Sequence, residues 1–155
     1  MALYLREAVR EDMDLLYRWA NDSEVRRNAF HTEYIPYDIH KAWFENVLKD
    51  RNILQYILVE EYDGVINEIG QIRLSLDKDR AVIGYSIAAE MRGKGFGSRM
   101  VQMAEEKLRE ARRETILLEA QVKYENKASA KVFEKCGYRA CRKKESIEYT
   151  KSISS

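Results

Sequence analysis

The chain is poor in the residues that build metal centres, disulfide scaffolds and sharp backbone breaks: it has two cysteines, two histidines and one proline among 155 residues. Cys136 and Cys141 are too few for the disulfide framework of a small secreted domain, and with only His31 and His40 as imidazoles they make no zinc set. No metal is expected. A formal net charge of +1 lacks the basic excess that nucleic-acid binding calls for. The local blocks Arg109, Arg112, Arg113 and Arg142, Lys143, Lys144 read as solvated surface interleaved with acids. No apolar run approaches the roughly 18 residues that span a bilayer, and the opening MALYLREAVREDMD is charged from position 6, unlike a signal peptide. These absences leave the expectation of a cytoplasmic protein with neither nucleic-acid nor membrane partners, folded as one domain over 1–155.

What is present has a clear order. LYLREAV alternates as a first strand, and Asp12 offers a cap for a helix carrying Leu15, Leu16 and Trp19. Turn formers and Pro36 interrupt the periodicity, after which Ile39, Trp43, Phe44 and Val47 share one helical face. From residue 53 the chain is rich in β-branched and aromatic residues, punctuated by turns at Asp63-Gly64 and at 77–80, which predicts three antiparallel strands ending in AVIGYSIA. Met100, Ala104, Leu108 and Ala111 stripe a further helix. TILLEAQV is a strand, NKASAKVFEKC a short helix closed by Gly137, and the polar tail from Tyr138 a last strand region. The order β-α-α-β-β-β-α-β-α-β predicts an α/β (α+β) fold on a mixed, mostly antiparallel sheet.

Glycine is scarce and unevenly spent. Of the seven, three fall within the five positions 93–97, in the stretch AEMRGKGFGSRM between a strand and a helix. Glycines there let successive N–H groups converge on an anion at the positive end of the following helix. A triphosphate loop is excluded because Gly93-Lys94 is followed by Gly95 rather than Ser or Thr, and a dinucleotide loop because Ser98 stands where its last glycine belongs.

The run Arg92-Gly93-Lys94-Gly95-Phe96-Gly97 resembles the Arg/Gln-x-x-Gly-x-Gly pyrophosphate loop of the Gcn5-related N-acetyltransferases (GNAT). LEAQVKYENKASAKVFEKCGY at 118–138 resembles that family's second signature, and the resemblance covers nearly the whole chain. It implies a GNAT fold whose sheet splays at a cofactor cleft, with acetyl-CoA as co-substrate. The pantetheine arm would pair with backbone near Tyr85, Ser86 and Ile87. The pyrophosphate would meet Gly93, Lys94, Gly95, Phe96, Gly97 and Ser98, with Arg92 adding charge and Asn126 either touching the cofactor or capping its helix. Many relatives carry an acidic tyrosine where this chain has Phe133. In the branch resembling the ribosomal-protein N-terminal acetyltransferases a serine is the proposed donor, which corresponds to Ser129; Tyr124 and Tyr138 are alternatives. Glu119 is the first candidate base, acting through water, and Glu33 the second.

The segment RWANDSEVRRNAFHTEYIPYDIHKAWF resembles acetyltransferases that modify the 4-amino group of a UDP-linked deoxy sugar in the pseudaminic-acid pathway. Arg26, Asn28, Phe30 and His31 would then contact the acceptor. Structurally, Trp19, Phe30 and Trp43 read as core anchors between two helices, with the arginines as solvated surface. The acceptors in order are a nucleotide-linked amino sugar, a protein N-terminus, and a polyamine or aminoglycoside. A non-catalytic acetyl-CoA-binding module is the reading from outside enzymology, and the polar last strand leaves a homodimer open.

Overall fold

The computed structural model describes residues 2–154. Twelve regular elements follow the chain: β1 (Ala2–Glu7), α1 (Met13–Ala20), α2 (Ser23–Asn28), α3 (Tyr37–Lys49), β2 (Ile53–Tyr62), β3 (Val65–Asp77), β4 (Arg80–Ile87), α4 (Phe96–Ala111), β5 (Ile116–Lys123), α5 (Lys127–Lys135), β6 (Arg139–Arg142) and β7 (Ser146–Ile153). The seven strands form one sheet in the order β1-β2-β3-β4-β5-β7-β6. Every neighbouring pair is antiparallel except β4 and β5. The β2–β3 hairpin turns at Asp63-Gly64, where both residues take positive φ, and the β3–β4 hairpin turns at Lys78.

Strand alternation sends Ile72, Leu74, Ala81, Ile83 and Leu118 to one face, where they meet Met100, Ala104 and Leu108 of α4 and Phe133 of α5. On the other face Ile57 and Val59 meet Met13, Leu16, Phe44 and Val47 from α1 and α3. Phe44 is fully buried, and truncating a phenylalanine so placed to alanine costs about 3–5 kcal/mol. This second helical layer covers only the β1–β2 side of the sheet. The corresponding face of β3, β4 and β5 is left as a polar floor.

Four local expectations need correction. The stretch after α1, read as irregular, contains α2, a short helix with no buried residue and hence no apolar period; Asp22 nucleates it by accepting from the amides of Glu24 and Val25 at 3.2 Å each. Asp12 sits at the start of α1, but its carboxylate accepts from Val9 N–H and from both Arg6 guanidinium nitrogens, each at 2.8 Å, closing the preceding turn instead of capping the helix. Ile39 is 62% exposed, and α3 buries His40, Phe44 and Val47 in its place. The polar tail is a hairpin of two strands, β6 and β7. Among the described residues no helix is long and apolar enough to cross a membrane, and no three acidic, histidine or cysteine side chains could hold a metal ion.

Candidate active site

The parallel ladder between β4 and β5 lasts three residue pairs, Arg80 to Leu117, Ala81 to Leu118 and Val82 to Glu119. Beyond Val82 the two strands part, and a cleft of about 1060 Å³ passes between them. Gly84, Tyr85, Ser86 and Ile87 line one wall; Ala120, Gln121 and Val122 of β5 face them. Ser129 and Phe133 of α5 close the cleft on one side of the sheet, and the α1–α3 segment flanks it on the other.

The glycine cluster lies between the C-terminal end of β4 and α4. Gly93 and Gly95 take φ of +76° and +83°, and a Cβ on either would meet nothing within 4 Å, so conformation rather than space demands glycine there. Gly95 is the N-cap of the 16-residue α4, and no side chain caps that end. Its first-turn amides are therefore open to an anion, with the helix dipole in support. Phe96 and Ser98 are buried, so neither side chain extends into the loop's solvent-facing side. Gly97 packs α4 onto α5, since a Cβ there would come within 2.9 Å of Val132. Arg92 turns away from the loop. Its guanidinium pairs with Asp22 at 2.6 Å and Glu24 at 2.9 Å, and its Nε donates to the Ile87 carbonyl at 3.1 Å. It thereby ties α2 to the end of β4.

Within the cleft the Tyr85 hydroxyl and Ser129 Oγ are 2.8 Å apart in a hydrogen bond. Burial pushes the Tyr85 phenol up to about 12, against the opposing effect of Ser129, so it keeps its proton at neutral pH. Phe133 packs edge-on against Tyr85 with ring centroids 5.9 Å apart. Asn126 accepts from Ser129 N–H at 3.2 Å, the geometry of a helix cap that also fixes Ser129. Glu119 lines the cleft and accepts from Arg80. The alternative acids lie elsewhere: Tyr138 is buried and donates to Glu105 at 2.7 Å, and Tyr124 donates to the Lys143 carbonyl.

Arg26, Asn28, Phe30, His31 and Glu33 all border the cleft. Arg26 donates from Nε to Ala20 at 2.7 Å and from Nη1 to the His31 carbonyl at 2.8 Å, bracing the loop after α2. Phe30 is 54% exposed and Trp43 39% exposed, so neither is the core anchor expected of it; both form the wall. The Lys123 ammonium lies 5.8 Å from the Phe30 ring. The floor is Gln55, Gln71, Arg73 and Ser86, with Gln55 donating to Gln71 at 2.8 Å and Gln71 to Ser86 at 3.1 Å. Sequence reasoning missed Gln55, Gln71 and Arg73 of this floor, and the hydroxyl of Tyr85. The available signal was the alternation of Gln71 and Arg73 with buried Ile72 and Leu74, which reads equally well as a strand face open to water.

The family described as acetyltransferase (GNAT) domain matches residues 2–139. The chain belongs to this family. It is thus a GNAT acyltransferase, and the non-catalytic module is set aside. No curated protein sequence matches it significantly. In fold the acetyltransferase is similar to a domain from Methanocaldococcus jannaschii DSM 2661, at TM-score 0.86 and 20% identity over 98% of this chain and 99% of that one. It is also similar to spermidine N-acetyltransferase from Vibrio cholerae in complex with CoA and spermine, at TM-score 0.80 and 19% identity over 97% and 94% of the two chains. Aminoglycoside acetyltransferase AAC(6')-Ib in complex with coenzyme A and kanamycin gives TM-score 0.79 and 18% identity over 97% and 95%.

Proposed function

We propose that this acetyltransferase moves the acetyl group of acetyl-CoA to a primary amine of a small molecule, with the 4-amino group of a UDP-linked deoxy sugar as acceptor. The observation that carries the reading is the parting of β4 from β5, which leaves the β5-facing edge of β4 without a strand partner beside an open glycine loop and beneath an aromatic wall. An extended pantetheine arm fits along Tyr85–Ile87 as an added strand, and the diphosphate fits the amides of 93–98. The acceptor enters from the side of Phe30 and Trp43, whose rings suit a sugar or a base.

The amine nitrogen attacks the thioester carbonyl, the C–N bond forms, and the C–S bond breaks as the tetrahedral intermediate collapses. Glu119, oriented by Arg80, takes the amine proton through one water. Ser129 protonates the departing thiolate and is resupplied by the Tyr85 hydroxyl, which takes a proton back from water as Glu119 releases the amine's, so that Tyr85 does the work that a tyrosine at the Phe133 position does in many relatives.

The two complexes with spermine and kanamycin favour a second reading, a polycationic acceptor. The cleft's own carboxylates count against it. Glu24 is taken by Arg92, and Glu119, already paired with Arg80, serves the one reacting amine, which leaves Glu33 for the further ammonium groups. Thiol release from acetyl-CoA, followed with a UDP-4-amino-4,6-dideoxy sugar, spermidine, an aminoglycoside and short peptides, separates these readings. Turnover confined to the sugar nucleotide is expected, and faster turnover of spermidine would replace that reading by the polyamine one.

A further inference from the structure

Among the described residues, Arg73 is the one arginine lining the cleft that is held by neither a carboxylate nor a main-chain carbonyl. Arg92 is neutralised by two carboxylates and Arg26 is engaged by main-chain carbonyls. Arg73 makes no ion pair and no hydrogen bond; its one defined contact is with the Trp43 ring, whose centroid lies 5.0 Å from Cζ. The side chain projects from the middle of β3, whose Cα partners in register are Gln55 on β2 and Gly84 on β4. Gly84 makes its place: a Cβ there would stand 3.1 Å from an Arg73 Nη, so the guanidinium lies flat across the strand that borders the cleft. Burial alone depresses its pKa, with no neighbouring charge acting on it.

A desolvated cation is costly unless paired, and a planar guanidinium held on an aromatic ring presents its fork ready-oriented to carboxylate or phosphate oxygens. A second unmatched atom lies on the same floor. Gln55 Oε1, on the strand next to Arg73, is buried and accepts no hydrogen bond. Arg73 therefore lacks an anion.

We propose that the acceptor carries an anionic group, a phosphate or a carboxylate, that pairs with Arg73 on the cleft floor. The proposal rests on acetyl transfer to an amine and narrows it to acceptors that are not simple polycations. Arg73 lies three residues back along the hairpin from the Gly70–Ile87 pair that leads to the glycine loop, so it faces the acceptor and not the diphosphate of the co-substrate.

The test compares the wild type with Arg73→Met, which keeps the packing on Trp43, and Arg73→Lys, which keeps the charge without the fork. Turnover is measured on matched pairs: the UDP-4-amino sugar against the same sugar without its diphosphate, and a glycyl dipeptide against its amide. For at least one pair the anionic member is expected to show a kcat/KM higher by about 100-fold or more, a preference that Arg73→Met abolishes and Arg73→Lys restores in part. The sugar pair reports phosphate and the dipeptide pair carboxylate. Equal turnover of both members of both pairs, or an equal loss on charged and uncharged members in Arg73→Met, overturns the proposal. So does loss of acetyl-CoA affinity in that variant, because the arginine would then serve the co-substrate.

If no amine is acetylated, the reading of the acceptor as one of these amines fails separately, and binding decides the anion site. UDP and malonate are titrated calorimetrically into protein saturated with CoA. Binding of either that weakens at least 30-fold in Arg73→Met supports the site, and binding unchanged by the substitution, or no binding, overturns it.

Discussion

Tyr85 and Ser129 meet in a 2.8 Å hydrogen bond across the cleft, one hydroxyl from the parting strand β4 and the other from the first turn of α5. The pair supplies a protonated oxygen where Phe133 cannot. Ser129→Ala is expected to lower kcat about 100-fold, the usual worth of a positioned acid, with the affinity for acetyl-CoA unchanged. Tyr85→Phe should lower it less. Because burial lifts the Tyr85 phenol to about 12, the wild-type kcat profile should show no descending limb between pH 7 and 10. A limb with an apparent pKa near 9 would remove Tyr85 from the proton route.

Gly95→Val forces a β-branched residue to φ of +83° at the N-cap of α4. The strain is about 1–2 kcal/mol, small beside the stability of a domain. The fold should survive, as judged by far-ultraviolet circular dichroism, while acetyl-CoA affinity measured by calorimetry drops at least tenfold. Unchanged affinity would move the diphosphate away from this loop.

Arg92 and Asp22 join α2 to the end of β4, and Asp22 also caps α2. A partly exposed ion pair contributes about 0–1 kcal/mol and a cap about 1 kcal/mol. Asp22→Ala should therefore destabilise more than Arg92→Ala, and the double variant should cost less than the two single ones together. Strict additivity in chemical denaturation would show that the pair is not coupled.

Stability should fall in two stages on acidification. His40 is buried, and burial lowers its pKa despite a hydrogen bond donated from Nε2 to the Met13 carbonyl at 3.1 Å and the charge of Asp14. Its unfolded form takes up a proton first, so stability present at pH 7 is lost as the pH falls through about 6.5 and below. Asp12 and Asp22 are pulled down by Arg6 and Arg92 respectively, together with main-chain amides, which outweigh the opposing effect of burial. Their contribution is complete above about pH 4 and disappears as the pH falls through their folded-state values. His40→Gln, which retains a donor toward Met13, should remove the first stage and leave the second. Persistence of the first stage in that variant would assign it to another group.

Long-period features were legible in the sequence. The three-strand meander, α4 and the glycine loop follow from hairpin turn signals, a stripe of apolar residues and clustered glycine, each a local pattern with a local cause. The α2 helix was not legible because it buries nothing, so its only trace was the cap at Asp22. Apolar character does not tell a cleft wall from an interior, which is why the sequence offers Trp43 as core and Phe30 as either core or acceptor contact. The meeting of Tyr85 with Ser129 joins positions 44 residues apart, and the solitude of Arg73 is a fact about what surrounds it; neither is written in spacing.

The three-pair ladder between β4 and β5 leaves the rest of β4 with a raw strand edge in the middle of a sheet. Such an edge is ordinarily a template for a foreign polypeptide, and proteins blunt it with charge, proline or a covering loop. Here the cleft walls do the blunting. A peptide strand paired here at about 4.8 Å would carry side chains on both faces, toward Ser129 and Phe133 on one side and the α1–α3 segment on the other. A slender, unbranched chain asks for less room than a peptide, so the edge that would template a strand is suited to a ligand that pairs with it and fills the gap between β4 and β5.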